Sequence, residues 1–562
     1  MATVTLNGSE ILIETLLEHG VSDVFGYPGG AVLNIYDALY KYRDRITHYL
    51  TAHEQGAAHA ADGYARATGK AGVCIATSGP GATNLVTGIA TAYMDSVPLI
   101  AVTGNVAKPL LGKDSFQEVD TTGITMPITK HNFIVKDIEK LAETVRRAFY
   151  IALSGRPGPV LVDITKDVTA AEYPYERREP RKISPETDSV TEEDLAEAAR
   201  LISEAKRPLI YAGGGVISAN AADLLKKFAE KIDAPVALTL MGLGAFPDDS
   251  PRFTGMVGMH GTKTSNMAVM ECDLLIAAGA RFSDRVISDV RKFAQEAKVL
   301  HLDVDAAEIN KNVMTESQVI GDLGEVIKRL LGRLPEMSHK AWLERVGGLK
   351  AAYPLPLFEK EDALRPPALL RAVREVMRGA AVTTDVGQHQ IWAGQYLGAG
   401  FPRGFISSGG LGTMGFGLGA AIGASVARGK RLAVNITGDG SFRMNCVELA
   451  TAADYKLPVV DIIMNNHALG MVRQWQELFY GGRFSQTDLS RTAADFVKLA
   501  EAFGCRGFRI KDAAEARDVL REARASAEGG VPAVVDCWIS SDEKVYPMVP
   551  PGESIDKVIL GE

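Results

Sequence analysis

The chain alternates short apolar runs, rich in β-branched residues, with helical patterns from end to end, and this alternation limits the folds it can adopt. Many of these runs end in a glycine-rich turn, as in SDVFGYPGG, AGVCIATSGPG and RLAVNITGDG. Strands that lead through such turns into helices are typical of parallel sheets with helices on both faces. The sequence therefore predicts an α/β protein built from doubly wound parallel sheets.

The predicted strands fall into three groups along the chain. Two stretches rich in charge and proline, residues 171–188 and 353–367, separate the groups and are predicted to be linkers. A chain of 562 residues is long enough to fill several domain cores. We therefore expect three doubly wound domains, at residues 1–175, 188–340 and 362–562. The predicted strands are, in order, SDVFGYPGG, AGVCIATSGPG, PLIAVTGN, GPVLVDITKD; RPLIYAGGG, APVALTL, DLLIAAGARF, KVLHLDVD; AAVTTDVG, RLAVNITGDG, PVVDIIMNN and PAVVDCWIS.

Charge and cysteine usage exclude several classes of protein. The net charge of -8 leaves no basic surface for a nucleic acid, and no apolar run reaches the roughly 18 residues of a membrane span. The N-terminus has no cationic flank of the kind that precedes a signal sequence. The five cysteines are scattered and form no CxxC pair. We expect a cytoplasmic enzyme without nucleic-acid or membrane partners.

Two segments of the chain share one layout. Both SGPGATNLVTGIATAYMDSVPLIAVTGN and residues 438–466 contain Gly-x-Gly, a helical run, Ala-Thr-Ala, a proline, an apolar strand and an asparagine. The spacing from Ala90 to Pro98 equals that from Ala450 to Pro458. The common geometry of βαβ units is one explanation. The other is an old duplication of the first and third domains, after which the third gained Asp439.

Asp439, in GDG, and Asn466, in NN, follow two consecutive predicted strands. If one right-handed crossover joins these strands, both carboxyl ends face the same crevice, where ligands of doubly wound sheets bind. Carboxylate and amide oxygens suit Mg²⁺, which shares its shell with phosphate oxygens. Gly440 allows close backbone approach, and Ser441 at the helix start can donate to a diphosphate. An Asp-Gly turn is ordinary by itself, but its pairing with Asn-Asn predicts a metal-diphosphate clamp.

The chain as a whole resembles a known enzyme family. The GDG…NN fingerprint is accompanied by HEQGAAHAADGYARATG, TSGPGATN, DSFQE, ITKHN, GMHGT, LGTMGFG and MVRQWQ. With these motifs the chain is similar to the large, catalytic subunits of acetohydroxyacid synthase, also called acetolactate synthase, from about residue 5 to YPMVPPG near the C-terminus. The resemblance implies thiamine diphosphate, Mg²⁺ and FAD as cofactors and 2-ketoacids as substrates. It implies that pyruvate is decarboxylated and its hydroxyethyl unit passes to pyruvate or 2-ketobutyrate, the first common step of branched-chain amino-acid biosynthesis.

Glu54 is the candidate for cofactor activation. It stands where the strand YLTAHE passes into a helix, and a carboxylate at a helix N-terminus is often only structural. The resemblance implies instead that Glu54 bonds N1′ of the aminopyrimidine and so promotes loss of the thiazolium C2 proton. Glu54 lies in the first domain and the clamp in the third. The family's shared site therefore implies at least a homodimer, with a tetramer and a small regulatory subunit left open.

The resemblance also assigns the remaining roles. The metal would be held by Asp439, Asn466 and the carbonyl of Ala468. Thiamine diphosphate would contact Tyr27, Pro28, Gln388, His389, Gly412, Met414, Gly440 and Ser441. FAD would contact Arg156, Gly213, Gly214, His260, Gly261, Arg281, Asp303 and Asp322. Substrate selection and approach would involve Phe116, Gln117, Lys130, Met259, Arg285 and Trp475. Met414 as core filler and Trp475 as a buried aromatic are the plain alternatives, and a lone GGG is weak evidence for a dinucleotide.

Other activities leave different marks in a sequence. A pyruvate decarboxylase of this family carries adjacent histidines, and none of the ten here are adjacent. Glyoxylate carboligase replaces the activating glutamate, and flavin-free catabolic enzymes lack the FAD segments. The GDG…NN pattern does not support a nicotinamide-dependent oxidoreductase. The presence of Glu54 argues against a non-catalytic subunit. Another thiamine-diphosphate-dependent decarboxylase, oxidase or carboligase is the remaining alternative.

Overall fold

Three six-stranded parallel sheets form the frame of the molecule, and helices cover both faces of each sheet. The computed structural model describes residues 3–355, 364–492 and 494–561. Each sheet takes its strands from one third of the chain, so the predicted class of doubly wound α/β domains is confirmed. Part of the second predicted linker, residues 353–367, lies outside the described residues.

The first sheet has the strand order β3-β2-β4-β5-β7-β6, and a small antiparallel pair of β1 and β8 lies beside it. Its strands are β1 (Val4–Asn7), β2 (Asp23–Gly26), β3 (Thr47–Leu50), β4 (Gly72–Ala76), β5 (Leu99–Asn105), β6 (His131–Val135), β7 (Pro159–Thr165) and β8 (Glu172–Tyr175). The helices are α1 (Gly8–Glu18), α2 (Leu33–Lys41), α3 (Glu54–Thr68), α4 (Pro80–Asn84), α5 (Val86–Met94), α6 (Thr121–Thr125), α7 (Leu141–Leu153) and α8 (Lys166–Ala170).

The central sheet has the order β11-β10-β9-β12-β13-β14. Counted within the sheet this is 3-2-1-4-5-6, the order of dinucleotide-binding folds. Its strands are β9 (Pro208–Ala212), β10 (Val236–Leu238), β11 (Phe253–Met256), β12 (Leu274–Ala278), β13 (Lys298–Asp303) and β14 (Ser317–Ile320). Its helices are α9 (Glu192–Glu204), α10 (Gly214–Ser218), α11 (Ala222–Lys231), α12 (Lys263–Glu271), α13 (Asp284–Ile287), α14 (Leu323–Leu331) and α15 (Lys340–Ala352).

The third sheet has the order β16-β15-β17-β18-β20-β19. Its strands are β15 (Ala381–Thr384), β16 (Phe405–Ser407), β17 (Ala433–Gly438), β18 (Val459–Asn465), β19 (Arg506–Ile510) and β20 (Ala533–Trp538). Its helices are α16 (Pro366–Val376), α17 (Gln388–Tyr396), α18 (Phe416–Ala427), α19 (Asp439–Asn445), α20 (Leu449–Asp454), α21 (Gly470–Phe479), α22 (Phe496–Ala502) and α23 (Ala516–Glu528).

The first and third sheets have the same topology, 2-1-3-4-6-5 when each is counted in chain order. They also share a buried side-chain pair. Asn105 donates to Asp163 at 2.5 Å, and Asn465 donates to Asp536 at 2.8 Å. In both sheets, the residue that pairs with the aspartate comes two positions before the asparagine: Thr103 pairs with Asp163, and Ile463 pairs with Asp536. Shared order and a shared pair at one register favour duplication over the general geometry of βαβ units.

All twelve predicted strands are present, and two details of the prediction are wrong. β17 and β18 are parallel neighbours, as expected, but α19, a 3-10 turn and α20 connect them instead of one helix. The predicted linker 171–188 begins with strand β8, which pairs with β1. Its proline and charged residues are tolerated because β8 is a short, mostly exposed edge strand.

Helices α3 and α18 fasten the first domain to the third. Small residues face each other at the crossing: a Cβ at Gly63 would overlap the Ala420 carbonyl, and one at Gly423 would overlap that of Ala60. The backbones therefore approach closely, and a buried apolar cluster with members from both domains surrounds the crossing. Within the described residues, no helix combines the length and apolarity needed to cross a bilayer.

Candidate active site

Most of the predicted site residues lie at the carboxyl ends of the three parallel sheets, but Arg156 and Lys130 precede β7 and β6. Tyr27, Glu54 and the segment after β4 lie at the edge of the first sheet, and the clamp residues lie at the edge of the third. Of the flavin candidates in the central domain, Gly213 and Gly214 follow β9, His260 and Gly261 follow β11, Arg281 follows β12, Asp303 ends β13 and Asp322 follows β14. Loops at this edge carry the ligands of doubly wound folds, because each strand points its end into the same crevice.

Asp439 and Asn466 follow the paired strands β17 and β18, whose ends lie at one edge of the third sheet. Asp439 is buried, and its Oδ2 atom has no hydrogen-bond partner among the described residues. Burial raises the pKa of the Asp439 carboxyl to about 7. The Asn466 side-chain oxygen accepts from the N–H of Ala468 at 3.1 Å, so these two residues form a tight turn. A buried carboxylate oxygen without a partner is costly unless a cation satisfies it.

The protein groups around Asp439 indicate which kind of cation the site suits. In the described parts of the chain, no group of three or more His, Cys, Asp or Glu side chains comes together as a metal cluster. A cation at Asp439 would therefore complete its shell with the Asn466 amide oxygen, the Ala468 carbonyl, water and phosphate. Few protein ligands and many exchangeable oxygens suit Mg²⁺ better than Zn²⁺. The residues present fit a magnesium-diphosphate group.

Glycines leave room beside the clamp. A Cβ at Gly438 would stand 2.9 Å from Nδ1 of His389, and one at Gly440 would stand 2.6 Å from a Leu469 methyl group. His389 is buried, burial lowers its pKa to about 3, and its Nε2 atom has no partner among the described residues. A neutral histidine with a free ring nitrogen can donate to or accept from a ligand in this space.

Two predicted diphosphate contacts use their side chains elsewhere. Both amide hydrogens of Gln388 are committed, to Gln474 at 2.9 Å and to the Glu543 carbonyl at 2.8 Å. The Ser441 hydroxyl donates to the Val386 carbonyl at 3.1 Å. A contact of Gln388 with a diphosphate would therefore come from its own backbone N–H, which begins α17 and has no partner within the helix.

Glu54 is the first residue of α3 and is 9% exposed. Its Oε2 atom accepts from the Asn84 side chain at 2.9 Å. A Cβ at Gly81 would stand 3.2 Å from its Oε1 atom, so a glycine keeps the carboxyl group accessible. Sequence reasoning missed Asn84, although it ends the quoted motif TSGPGATN. The positive end of α3 stabilises a negative charge at this position.

Other predicted residues of the first domain lie in loops at the same sheet edge as Glu54. Tyr27 and Pro28 are exposed and follow β2 directly. Gln117 has a positive φ of 59° and packs against Gly79 of the loop after β4. Phe116 is 88% exposed. Among the described residues, no hydrogen bond joins Glu54 to Asp439, Asn466 or Ala468.

The loop after β16 carries Gly412 and Met414. Gly412 has a φ of +70°, which other residues rarely adopt, and lines the large cavity described below. The Met414 methyl group would stand 3.9 Å from a Cβ at Gly440. Asp95 of the first domain accepts from the backbone of this loop at Gly409 (3.1 Å) and Gly410 (2.7 Å). The loop therefore reaches from the clamp to the first domain.

A cavity of about 2080 Å³ lies between the central domain and its two neighbours. It is larger than the roughly 300–1,000 Å³ of an ordinary small-molecule site and can hold a dinucleotide. Of the eight flavin candidates, all but Gly261 line it: Arg156, Gly213, Gly214, His260, Arg281, Asp303 and Asp322. Gly261 lies beside His260 in a tight turn that bonds back to Gly258. The cavity fits FAD.

Several cavity residues are already held in place. Arg156 pairs with Asp305 at 3.0 Å and Glu308 at 2.6 Å, which joins the first domain to the central one. Burial lowers the pKa of His260 to about 4, so its ring is neutral near pH 7. Asp322 caps α14 by accepting from the backbone of Glu325 at 3.0 Å. These contacts shape the cavity wall before any ligand binds.

Met259, Arg285 and Trp475 line the same cavity. The Met259 N–H donates to the Arg285 carbonyl at 2.8 Å, and the Arg285 side chain is 65% exposed. Phe116, Gln117 and Lys130 do not line the cavity of a single chain. Lys130 donates to the carbonyls of Ile151 and Ser154 at the end of α7, and burial lowers its pKa. Three of the six substrate candidates therefore meet in one chain.

The C-terminal segment also supports this cavity. The N–H of Val549 donates to the Met259 carbonyl at 2.8 Å, and His260 bonds the Pro547 carbonyl at 3.2 Å. The segment comes from the third domain, and its Ile555 is buried among side chains of the central domain. The sequence motif YPMVPPG marked this segment but did not reveal which loop it contacts.

Three profiles of thiamine pyrophosphate enzymes match the chain. The N-terminal TPP binding domain matches residues 6–124, the central domain residues 195–330 and the C-terminal TPP binding domain residues 385–537. The N-terminal match spans β2 to β5, the central match spans β9 to β14, and the C-terminal match runs from β16 into β20.

Named relatives match nearly the whole chain. The acetolactate synthase large subunit of Parasynechococcus marenigrum (strain WH8102) is 50% identical, with 98% of this chain and 91% of that protein aligned. A probable acetolactate synthase large subunit of Methanocaldococcus jannaschii is 49% identical over 99% of this chain and 95% of its own length. The acetolactate synthase of Arthrospira platensis is 45% identical over 98% and 97%.

Proposed function

The chain belongs to the acetolactate synthase large-subunit family of thiamine pyrophosphate enzymes, and we therefore propose that it makes 2-acetolactate from two molecules of pyruvate. With 2-ketobutyrate as the second 2-ketoacid, the product is 2-aceto-2-hydroxybutyrate. Both products are precursors of branched-chain amino acids. The observation that carries this proposal is the unpartnered, buried oxygen of Asp439 beside Asn466 at the ends of two adjacent strands.

The clamp would hold the diphosphate of the cofactor through Mg²⁺. Asp439, the side chain of Asn466 and the carbonyl of Ala468 would bind the cation, and first-turn N–H groups of α17 would bind phosphate oxygens. His389 would contact the same group through its free ring nitrogen. Bound thiamine diphosphate supplies the electron sink that decarboxylation of a 2-ketoacid requires.

Glu54 would hold a proton between its carboxyl group and N1′ of the aminopyrimidine. Its hydrogen bond from Asn84 fixes the other oxygen, so the carboxyl group presents one oxygen to the ring. Tyr27 and Pro28 would cover the ring and exclude water. Gly412 and Met414, from the loop beside the clamp, would support it from the other side.

The second 2-ketoacid would bind in the large cavity. Arg285 would face its carboxylate, since a guanidinium group binds a carboxylate with two parallel hydrogen bonds. Met259 and Trp475 would contact its alkyl group. Phe116, Gln117 and Lys130 would approach from the first domain of a second chain.

FAD would occupy the same cavity. The strand order of the central sheet and the close packing of Gly213 against Gly279 support a dinucleotide site, because only glycine allows such backbone contact. The resemblance implies no net redox role for this flavin, so it would act as a structural ligand.

The separation of the two half-sites supports a homodimer as the smallest active unit. Glu54 of one chain would meet the clamp of the other, and the residues of the first domain that are exposed in a single chain would be covered. The relatives are named large subunits, which supports a small-subunit partner for this chain as well.

Product identification tests the proposed function. Purified protein is incubated with pyruvate, thiamine diphosphate, Mg²⁺ and FAD, and the products are separated by chromatography. We expect 2-acetolactate as the main product, and its loss when thiamine diphosphate is omitted. Acetaldehyde as the main product would indicate a decarboxylase, and acetate or acetyl phosphate would indicate an oxidase.

A further inference from the structure

Glu448 is a fully buried carboxylate to which the proposed reaction assigns no role. It ends the 3-10 turn between α19 and α20 of the third domain. Its side chain contacts the first domain: Oε1 accepts from the N–H of His53 at 3.0 Å, and Oε2 accepts from the N–H of Ala52 at 3.1 Å. Thr451 also donates to Oε2, at 2.7 Å. The two backbone donors immediately precede Glu54.

No lysine or arginine forms an ion pair with Glu448 within the described residues. Burial raises the pKa of its carboxyl group, and the hydrogen bonds from Thr451, Ala52 and His53 oppose that effect. The carboxylate also lies against the first turn of α3, whose positive end favours an anion. Three hydrogen-bond donors and the positive end of α3 therefore stabilise the Glu448 carboxylate without a basic side chain.

The contact between Glu448 and α3 leaves no spare room. A Cβ at Gly56 would overlap Oε1 of Glu448, so the carboxylate packs directly on the helix backbone. On the opposite side, Asn84 bonds the side chain of Glu54. The backbone that precedes Glu54 is thus fixed from the third domain, and its side chain is fixed from the first.

We propose that Glu448 is a positioning residue, which sets where the carboxyl group of Glu54 meets the aminopyrimidine ring. The proposal rests on the proposed role of Glu54. In the proposed dimer, the domain that clamps one cofactor would steady the base that serves the other. A displacement of about 1 Å in a catalytic group can lower a rate about 100-fold, so loss of this contact has a measurable effect.

Glu448→Gln tests the proposal because it keeps the size of the side chain. The amide has one acceptor oxygen, and its NH₂ group would face a backbone N–H that needs an acceptor. We expect the domains to stay docked, since Tyr455 still bonds the backbone of Leu50 and α3 still packs on α18. Affinity for thiamine diphosphate should change less than about threefold, because the clamp at Asp439 is not altered.

Two exchange measurements report on the position of Glu54. In the full chain without cofactor, mass spectrometry should show at least about tenfold faster amide exchange at Ala52 and His53, as expected for a lost charge-assisted hydrogen bond. With cofactor bound, loss of deuterium from thiazolium C2 should slow about 10- to 100-fold. The kcat for acetolactate should fall similarly while KM changes little.

Gly56→Ala is an independent second variant, because it displaces the Glu448 carboxylate without removing its charge. It should reproduce both exchange effects. Asp163→Asn is the matched control: Asp163 is equally buried, but its bonds to Thr103 and Asn105 stay within the first sheet. It should leave C2 exchange of the bound cofactor unchanged.

The possible outcomes distinguish a failure of the positioning role from a failure of the proposed function. C2 exchange within twofold of wild type in Glu448→Gln, despite faster amide exchange at residues 52 and 53, would overturn the positioning role. Unchanged amide exchange in both variants would show that the contact does not hold this segment. If the wild-type protein exchanges C2 no faster than free cofactor, the proposed function fails, and the amide data still decide whether Glu448 fixes the segment.

Discussion

Asp439 illustrates how burial and chemistry combine at a single residue. The chain encloses this carboxylate at the end of β17 and leaves one of its oxygens without a protein partner. Such a group destabilises the fold unless a ligand satisfies it. Its position at a strand end, next to the turn at Asn466, supports the proposed cation site, whereas the similarly buried Asp461 lies within a strand.

Asp439→Asn should remove the dependence of thiamine diphosphate binding on Mg²⁺. The amide carries no charge, so it cannot replace the carboxylate as the main anionic ligand of the cation. Isothermal titration of chelator-treated protein measures the affinity with and without Mg²⁺. We expect about 100-fold tighter binding with Mg²⁺ for the wild type and less than about threefold for the variant.

Asp461→Asn is the control for this measurement. Burial raises the pKa of Asp461 to about 7, as it does for Asp439, and one of its oxygens also lacks a partner among the described residues. Asp461 lies within β18, away from the strand end. It should retain the Mg²⁺ effect. A full Mg²⁺ effect in Asp439→Asn would show that the cation binds elsewhere.

Trp475→Leu should reduce the preference for 2-ketobutyrate over pyruvate. The two acceptors differ by one methylene group, and a pocket distinguishes such pairs by about 10- to 200-fold at most. Competition between the two acceptors, followed by product analysis, gives the ratio directly. We expect it to fall about tenfold. Phe484→Leu is the control, because Phe484 is an exposed aromatic residue that does not line the cavity. Equal ratios in all three proteins would remove the role of Trp475.

At the scale of elements, the central strands could be predicted from the sequence and most edge strands could not; β3, which overlaps the predicted strand YLTAHE, is the exception. β5, β7, β17 and β18 are buried along their whole length, so their apolar runs stand out. β6 (HNFIV) and β19 (RGFRI) lie at sheet edges and carry polar residues toward solvent. Their pairing depends on a neighbour far along the chain, and local pattern does not show it.

The incorrect prediction of a linker at residues 171–188 is also explained by contacts with residues that are distant in the sequence. Charge and proline at residues 171–188 indicate a loop, yet Glu18 at the end of α1 organises the part that follows β8. Arg146 donates to both oxygens of Glu18, at 2.8 and 2.9 Å, and the N–H of Arg178 donates to one of them at 2.8 Å. These partners are more than a hundred residues from Glu18 in the sequence.

Glu18→Gln should destabilise the protein at neutral pH and not at acid pH. Burial alone would raise the pKa of Glu18, but bonds from Arg146 and Tyr175 lower it overall. A carboxyl group whose pKa is lower in the folded state stabilises the fold above its unfolded pKa, and this stabilisation disappears as the pH falls through the folded value. The thermal midpoint of the variant should lie about 3 °C below wild type at neutral pH.

The pH series contains its own control. The difference between Glu18→Gln and wild type should close below about pH 4. Glu14→Gln removes another carboxylate of α1, one paired with the half-exposed Arg45, and should shift the midpoint by less than about 1 °C. A Glu18→Gln deficit that stays constant from neutral to acid pH would contradict the ionic origin of the effect.

For the molecule as a whole, motifs predicted which residues belong to the site but not how they meet. Asp439 and Asn466 could be paired in advance because adjacent parallel strands end at one edge. The contact of Glu448 with His53 spans 395 positions and follows no periodic pattern. Phe116 and Lys130 were assigned to the substrate path by resemblance, and a single chain does not bring them to the cavity.

In the proposed dimer, Glu54 and the clamp of one site come from different chains, so activity would require assembly. In the proposed site, the first sheet would supply the base and the third sheet would bind the cofactor. A two-fold dimer that joins unlike edges would complete two equivalent sites. The first and third domains, which share one topology, would then supply the two halves of each site.

A mixture of two inactive variants tests the shared site in one measurement, together with the roles of Glu54 as the base and of Asp439 in the clamp. Glu54→Gln and Asp439→Asn chains carrying different tags are co-expressed, and acetolactate formation is measured for each variant alone and for the mixture. Each variant alone should be nearly inactive. Random assortment makes half of the dimers mixed, and each mixed dimer has one intact site, so the mixture should regain about a quarter of wild-type activity. A mixture as inactive as its components would contradict a site shared between chains, and high activity of either variant alone would contradict the role of its residue.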